Sequence, residues 1–155
     1  MVRKDKEIKD VSAIEAIMAE APVCRLALVD DGLPYIVPMH FAYREKCLYL
    51  HTGTKGRKID ILRKNNRVCF EMDLLDGIVR ADEACRWTTR YRSVVGYGRA
   101  QIIDDPEAVQ QGLDLLMEKY AGRTAWTYAA PALKQTLILR ITIESMTGKA
   151  SPPRE

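Results

Sequence analysis

The chain has 155 residues, a mass of 17.6 kDa and a formal net charge of +3, with 47% hydrophobic and 29% charged residues. These values exclude a disordered polymer, a helical membrane bundle and a strongly polycationic nucleic-acid binder. They leave one domain, residues 1–155, long enough to bury its own core. Met1 to Asp10 is charged with no apolar run behind it, so no signal peptide is expected and the first nine residues are predicted to be loose. Ser12-Ala13-Ile14-Glu15 has the spacing of a capping box, and Ile14, Ile17, Met18 and Ala21 continue at helical period until Pro22. Val23 to Val29 reads as a strand, Asp30-Asp31-Gly32 as a hairpin turn, and Pro34 to Tyr43 as a second strand. In that second strand Tyr35, Val37, Met39, Phe41 and Tyr43 share a face, and Pro38 requires an edge or a bulge. Arg44-Glu45-Lys46 turns the chain into a third strand, Cys47 to His51.

A short helix is predicted from Gly56 to Lys64, then a strand from Arg67 to Asp73 and an acidic irregular stretch from Leu74 to Trp87. Thr89 to Ile103 is long and β-rich, with Gly96 and Gly98 marking a bend or a close backbone approach. Asp105-Pro106-Glu107 starts a helix whose Val109, Leu113, Leu116, Met117 and Tyr120 form a core stripe. Ala121 to Gln135 is a loop or broken helix, Leu137 to Ile143 the last strand, and Ala150 to Glu155 a loose tail. Connections this short cannot build parallel βαβ units. The fold class expected is therefore mainly β: six antiparallel strands in a small barrel with flanking helices.

Charge is distributed unevenly. Lys55 to Arg67 holds six cations and one acid, Asp60, whereas acids crowd Glu71 to Glu83 and Asp104 to Glu118. Within His51-Thr52-Gly53-Thr54-Lys55-Gly56-Arg57-Lys58 a strand ends and a helix begins. Helix N-termini favour anions, so each cation placed there opposes the helix dipole by about 0.3–1 kcal/mol when unscreened. A phosphate bound to the free amides, to Thr52 or Thr54, and to Arg57 and Lys58 removes that conflict. The order of residues is neither a Walker loop nor a dinucleotide fingerprint. Cys24, Cys47, Cys69 and Cys85 form no C-x-x-C pair and read as free thiols in a reducing cytoplasm. No metal-ligand cluster, paired carboxylates or nucleophile elbow stands out.

Pro34-Tyr35-Ile36-Val37-Pro38-Met39-His40-Phe41-Ala42-Tyr43, Leu48-Tyr49-Leu50-His51, Gly56-Arg57-Lys58 and Asn65-Asn66-Arg67-Val68-Cys69-Phe70 together resemble the pyridoxamine 5′-phosphate oxidase-like flavoproteins. Cys85-Arg86-Trp87-Thr88 and Tyr91-Arg92-Ser93-Val94-Val95-Gly96-Tyr97-Gly98-Arg99-Ala100 resemble the branch containing the 5-nitroimidazole reductases. The resemblance spans Ile8 to Lys149. It implies a split β-barrel, a homodimer, and FMN held between subunits. It further implies that the strand Val37, Pro38, Met39, His40 and Phe41 lies along the flavin ring and offers it backbone groups. His51 and Thr52 would sit between ring and phosphate, Arg57 and Lys58 would hold the phosphate, and Ser93 would also touch the flavin. A C-terminal segment with tryptophan and arginines, which grips substrate phosphate in true pyridoxamine phosphate oxidases, has no counterpart after Leu139-Arg140-Ile141-Thr142-Ile143-Glu144, so vitamin B6 oxidation is not expected.

The resemblance implies an FMN-dependent oxidoreductase that takes electrons from an external donor and passes them to small acceptors such as nitroaromatics or quinone-like compounds. A non-catalytic flavin-binding protein and a haem-binding protein on the same barrel are the alternatives. His51 is the candidate catalytic residue, as a proton or hydrogen-bond donor to the acceptor. His40 reads equally as a structural residue or a cofactor neighbour. Neither a nucleic acid nor a membrane is an expected partner.

Overall fold

The computed structural model describes residues 4–123 and 125–151. A 3₁₀ turn at Lys4–Lys6 leads into β1 (Glu7–Ile8) and α1 (Val11–Glu20). β2 (Cys24–Asp30), β3 (Leu33–Met39), β4 (Ala42–Arg44) and β5 (Cys47–Gly53) follow, then α2 (Arg57–Lys64). β6 (Arg67–Val79) and β7 (Thr88–Ile103) make a long hairpin with a 3₁₀ turn at Ala84–Arg86. α3 (Pro106–Ala121), α4 (Ala130–Lys134) and β8 (Thr136–Ser151) complete the described chain.

All pairings are antiparallel, in the order β3-β2-β6-β7-β8-β5-β4, with β1 added to β8. The sheet curls but does not close, because β3 and β4 are both edges: it is a split barrel with flanking helices. The six predicted strands are present within an eight-stranded sheet. The two additions are β1 and β4, the latter cut from the second predicted strand at His40-Phe41.

Alternation builds the core. Leu26 and Leu28 of β2, Leu48 and Leu50 of β5, Phe70 and Met72 of β6, and Leu139 and Ile141 of β8 all point inward and are buried. Ile14, Ile17 and Met18 of α1 close one opening, and Ile59 and Leu62 of α2 close another. A second cluster lies outside the sheet, where Val109 and Leu116 of α3 pack on Ile138, Ala42 and Tyr49. Gly98 is required where β7 meets β8: a Cβ there would overlap the Thr142 carbonyl oxygen, and the register shifts at the same place.

Several sequence expectations change. α1 is capped by Asp10, which accepts from the Ser12 amide at 3.1 Å, so Ser12 and Glu15 form no capping box. Glu15 instead accepts from the Tyr43 hydroxyl at 2.7 Å. The stretch Leu74 to Val79, predicted irregular, continues β6 against β7 because Gly77, at φ 136°, absorbs an extra residue at a bulge. Arg92 pins that arm through both Asp76 and Glu20. Both predicted loose ends are ordered up to the limits of description: Glu7 and Ile8 pair with Lys149 and Gly148, and Lys6 donates to the Ser151 hydroxyl. Residues 152–155, the rest of the predicted tail, lie outside the described residues, as do 1–3. Among the described residues no helix is long and apolar enough to cross a membrane.

Candidate functional site

β5 alternates to its end, so Thr52 points into the barrel and is buried while His51 points out. Three residues past the end of β5 at Gly53, Gly56, at φ 125°, starts α2 with no side-chain cap. The Gly56 carbonyl accepts from the Ile59 and Asp60 amides at 2.9 and 3.2 Å. The amides of Arg57 and Lys58 have no partner among the described residues, and α2 presents them at its positive end. The helix start that the sequence predicts is thus present, with two amide donors open.

Lys58 and His40 both lie close enough to His51 for their charges to act on it. The His51 pKa is pushed below 6.5, first by burial of part of the ring and then by the charges of His40 and Lys58. No carboxylate offsets them there. The imidazole is therefore neutral at pH 7, carrying a single N–H donor. His40 stands at the junction of β3 and β4, its ring centroid 4.9 Å from that of Tyr120.

The predicted flavin-lining strand is β3 and the residues that follow it. Met39 and Phe41 are buried side chains, so neither can meet a ligand with its side chain. Pro38 and His40 face outward and Val37 is half-buried. β3 pairs only with β2, which leaves its other backbone edge open, and Pro38 is tolerated because it lies on that edge. Backbone contact is therefore available along this strand, while side-chain contact narrows to Pro38, His40 and the half-buried Val37.

In register, Ser93 lies far along β8 from the end of β5 that leads to the cradle. On β8, His51 faces Ile138 whereas Ser93 faces Lys149. At about 3.3 Å per residue those positions are roughly 35 Å apart along the strand. Ser93 is half-buried and pairs with Asp73 on its other side.

Four residues that the sequence reading left out of the site support it. The Arg57 guanidinium lies over the Tyr35 ring, 4.8 Å from its centroid, and its Nε is 3.6 Å from Asp30. Asp30 is also 3.9 Å from Lys64 Nζ. At the end of α3, the Tyr120 hydroxyl accepts from the Phe41 amide at 3.1 Å and donates to the Pro22 carbonyl at 2.8 Å. Lys119 Nζ sits 3.4 Å from the Phe41 ring centroid and donates to the Met18 and Ala21 carbonyls at 2.9 and 2.8 Å. Burial lowers its pKa from 10.5 to about 8. Of these, only Tyr35, in the alternating strand after Pro34, and Asp30, in the Asp30-Asp31-Gly32 turn, left any local trace in the sequence. No group of three His, Cys, Asp or Glu among the described residues could hold a metal.

The sequence matches the family described as "Pyridoxamine 5′-phosphate oxidase" over residues 10–150. Among curated proteins, none matches. Among solved structures, a candidate 5-nitroimidazole antibiotic resistance protein from Bacteroides thetaiotaomicron is 34% identical, with a TM-score of 0.82 over 93% of this chain and 86% of that one. An FAD- and heme-binding protein from Mycobacterium smegmatis is 25% identical, with a TM-score of 0.83 over 96% and 74% of the two chains. An FAD-binding protein from Mesorhizobium loti is 26% identical, with a TM-score of 0.67 over 92% and 96%. With a match over nearly its whole length and a split barrel of the same form, the chain belongs to the pyridoxamine 5′-phosphate oxidase family, on the side of it that resembles the nitroimidazole resistance protein.

Proposed function

We propose that this protein binds FMN as a homodimer and passes electrons from an external donor to small acceptors, nitroaromatics among them. The observation that carries the reading is the start of α2, where Arg57 and Lys58 flank two unbonded amides at the positive end of a helix. The donor set fits a flavin phosphate. A terminal phosphomonoester is a dianion, and two cations with two amides match its charge and its acceptors. The open backbone edge of β3 suits the polar rim of a flavin ring. The FAD-binding neighbours support a flavin, and the resistance protein supports nitro compounds as acceptors. FMN rather than FAD rests on the compactness of the cradle.

A bound flavin supplies electron transfer in one- and two-electron steps. The chain's own residues bind, orient and donate. Arg57 and Lys58 hold the phosphate, and the β3 edge sets the ring against the barrel. His51, neutral at pH 7, offers its N–H to an acceptor oxygen. The absence of a wider acid–base set in the site suits a loose choice of acceptor.

The visible spectrum of the purified protein separates flavin from haem directly. Arg57→Ala with Lys58→Ala is expected to strip FMN while the fold survives, since each charge-assisted contact contributes about 1.5–3 kcal/mol. FMN held as tightly by that double variant in a fluorescence titration would place the cradle elsewhere. His51→Ala is expected to slow reoxidation of the pre-reduced protein by a nitro acceptor by about 100-fold, with a smaller effect on FMN affinity. An unchanged stopped-flow rate in a variant that retains FMN would reduce His51 to a binding residue.

A further inference from the structure

Arg57 is presented rather than free. Its neighbour along the fold is the β2–β3 hairpin, which ends β2 at Asp30 and begins β3 two residues before Tyr35. Tyr35 lies under the guanidinium, and the Asp30 carboxylate approaches it through Nε. Among the described residues no hydrogen bond closes on the terminal nitrogens of Arg57. The ring lies against the guanidinium and the carboxylate lies on its Nε side. What remains is the edge bearing two N–H groups, the edge that takes a phosphate in bidentate fashion.

The same carboxylate reaches Lys64, seven residues farther along α2 and so on the same helix face. Its two oxygens are divided, Oδ2 toward Arg57 and Oδ1 toward Lys64. Asp30 therefore draws a second cation toward the first while staying off the edge that matters. An acid beside an anion site ordinarily weakens it by repulsion. Here its nearest approach is to Nε, which occupies the side-on edge and leaves the edge between the two terminal nitrogens for a phosphate.

We infer that Asp30 and Tyr35 are positioning residues for a phosphate ligand: they aim the guanidinium of Arg57 so that its two-nitrogen edge faces the start of α2. This rests on the proposed role of Arg57 and Lys58 in holding the flavin phosphate. It assigns to the hairpin a share in selecting phosphorylated over unphosphorylated flavin.

The test compares FMN with riboflavin, which has the same ring and no phosphate. Affinities are measured by fluorescence quenching with purified, flavin-stripped protein, in wild type, Asp30→Asn, Asp30→Glu, Tyr35→Leu and Arg57→Ala. Asp30→Asn and Tyr35→Leu are each expected to weaken FMN by about fivefold, the scale of one partly exposed ion pair, and to leave riboflavin unchanged. Asp30→Glu, which keeps the charge, should recover most of the loss. Tighter FMN binding in Asp30→Asn would mean that the carboxylate only competes with phosphate, and would overturn the inference. So would equal losses for FMN and riboflavin, which would mark a fold defect. If Arg57→Ala itself leaves FMN affinity unchanged, the cradle reading fails first, and that outcome is distinct from an effect confined to Asp30 and Tyr35.

Discussion

Lys119 sits in surroundings that disfavour its charge. Its ammonium is half-buried against an aromatic face and two carbonyls, with no carboxylate in contact. The carbonyls close the C-terminal end of α1, where a cation is favoured, but desolvation outweighs them and the pKa falls from 10.5 to about 8. The folded pKa lies below the unfolded one. Between pH 8 and 10.5 the unfolded chain holds a proton that the folded chain has released, so this group makes stability rise with pH across that window. Below pH 8 both states are protonated and its contribution is flat. Cys24 works in the opposite direction, because burial pushes its thiol from 9.0 to about 12 and the unfolded chain ionises first. The expected outcome is read as a difference. The urea midpoint of wild type minus that of Lys119→Met should climb from pH 8 and level off near pH 10.5. A difference that is flat across that range would mean that Lys119 keeps its ordinary pKa.

At the scale of elements, the β4–β5 turn is strained and the β2–β3 turn is not. Both use two residues with positive φ, the geometry that matches the twist of a hairpin. Asp31-Gly32 suits that geometry, whereas Glu45 and Lys46, at φ 51° and 59°, do not. Lys46→Gly is therefore expected to stabilise the protein by about 0.5–1 kcal/mol, measured as a rise in the denaturation midpoint. A fall would show that the Lys46 side chain contributes more than its backbone costs. The contrast also shows what local sequence conveys. Asp30-Asp31-Gly32 announced its turn, and the alternation in Cys47 to His51 announced its strand. The break of the second strand at His40-Phe41 was hidden, because the group that takes the Phe41 amide is Tyr120, far away in sequence. The length of β6 was hidden in the same way, since Arg92 from β7 pairs with Asp76 of the arm and ties it to Glu20 of α1. In the site, Arg57 and Lys58 were legible because their conflict with a helix dipole is local. Asp30, Tyr35, Lys119 and Tyr120 were not, because each acts across a tertiary contact.

The whole molecule leaves an apolar face uncovered. On the outer side of the sheet, cross-strand register aligns Ile36, Ala27, Cys69 and Tyr97 in a row over β3, β2, β6 and β7. Ile36 and Tyr97 are 60% and 57% exposed, and Val29, two residues from Ala27 on β2, extends the row toward the hairpin turn. Single exposed apolar side chains are ordinary, but a contiguous row across four strands marks an interaction surface. The separation of Ser93 from the cradle points the same way. If Ser93 contacts the flavin, as the family resemblance implies, the roughly 35 Å of strand between its register position and that of His51 makes a second copy the economical source of it. A two-fold arrangement would cover each apolar row and complete each site at once. Sedimentation should therefore report a dimer. Ile36→Glu with Tyr97→Asp, which places charges in the row and leaves Arg57 and Lys58 untouched, should shift the protein toward monomer and weaken FMN together. Affinity unaltered in a variant that sediments as a monomer would show that one chain builds the whole site, and would remove Ser93 from it.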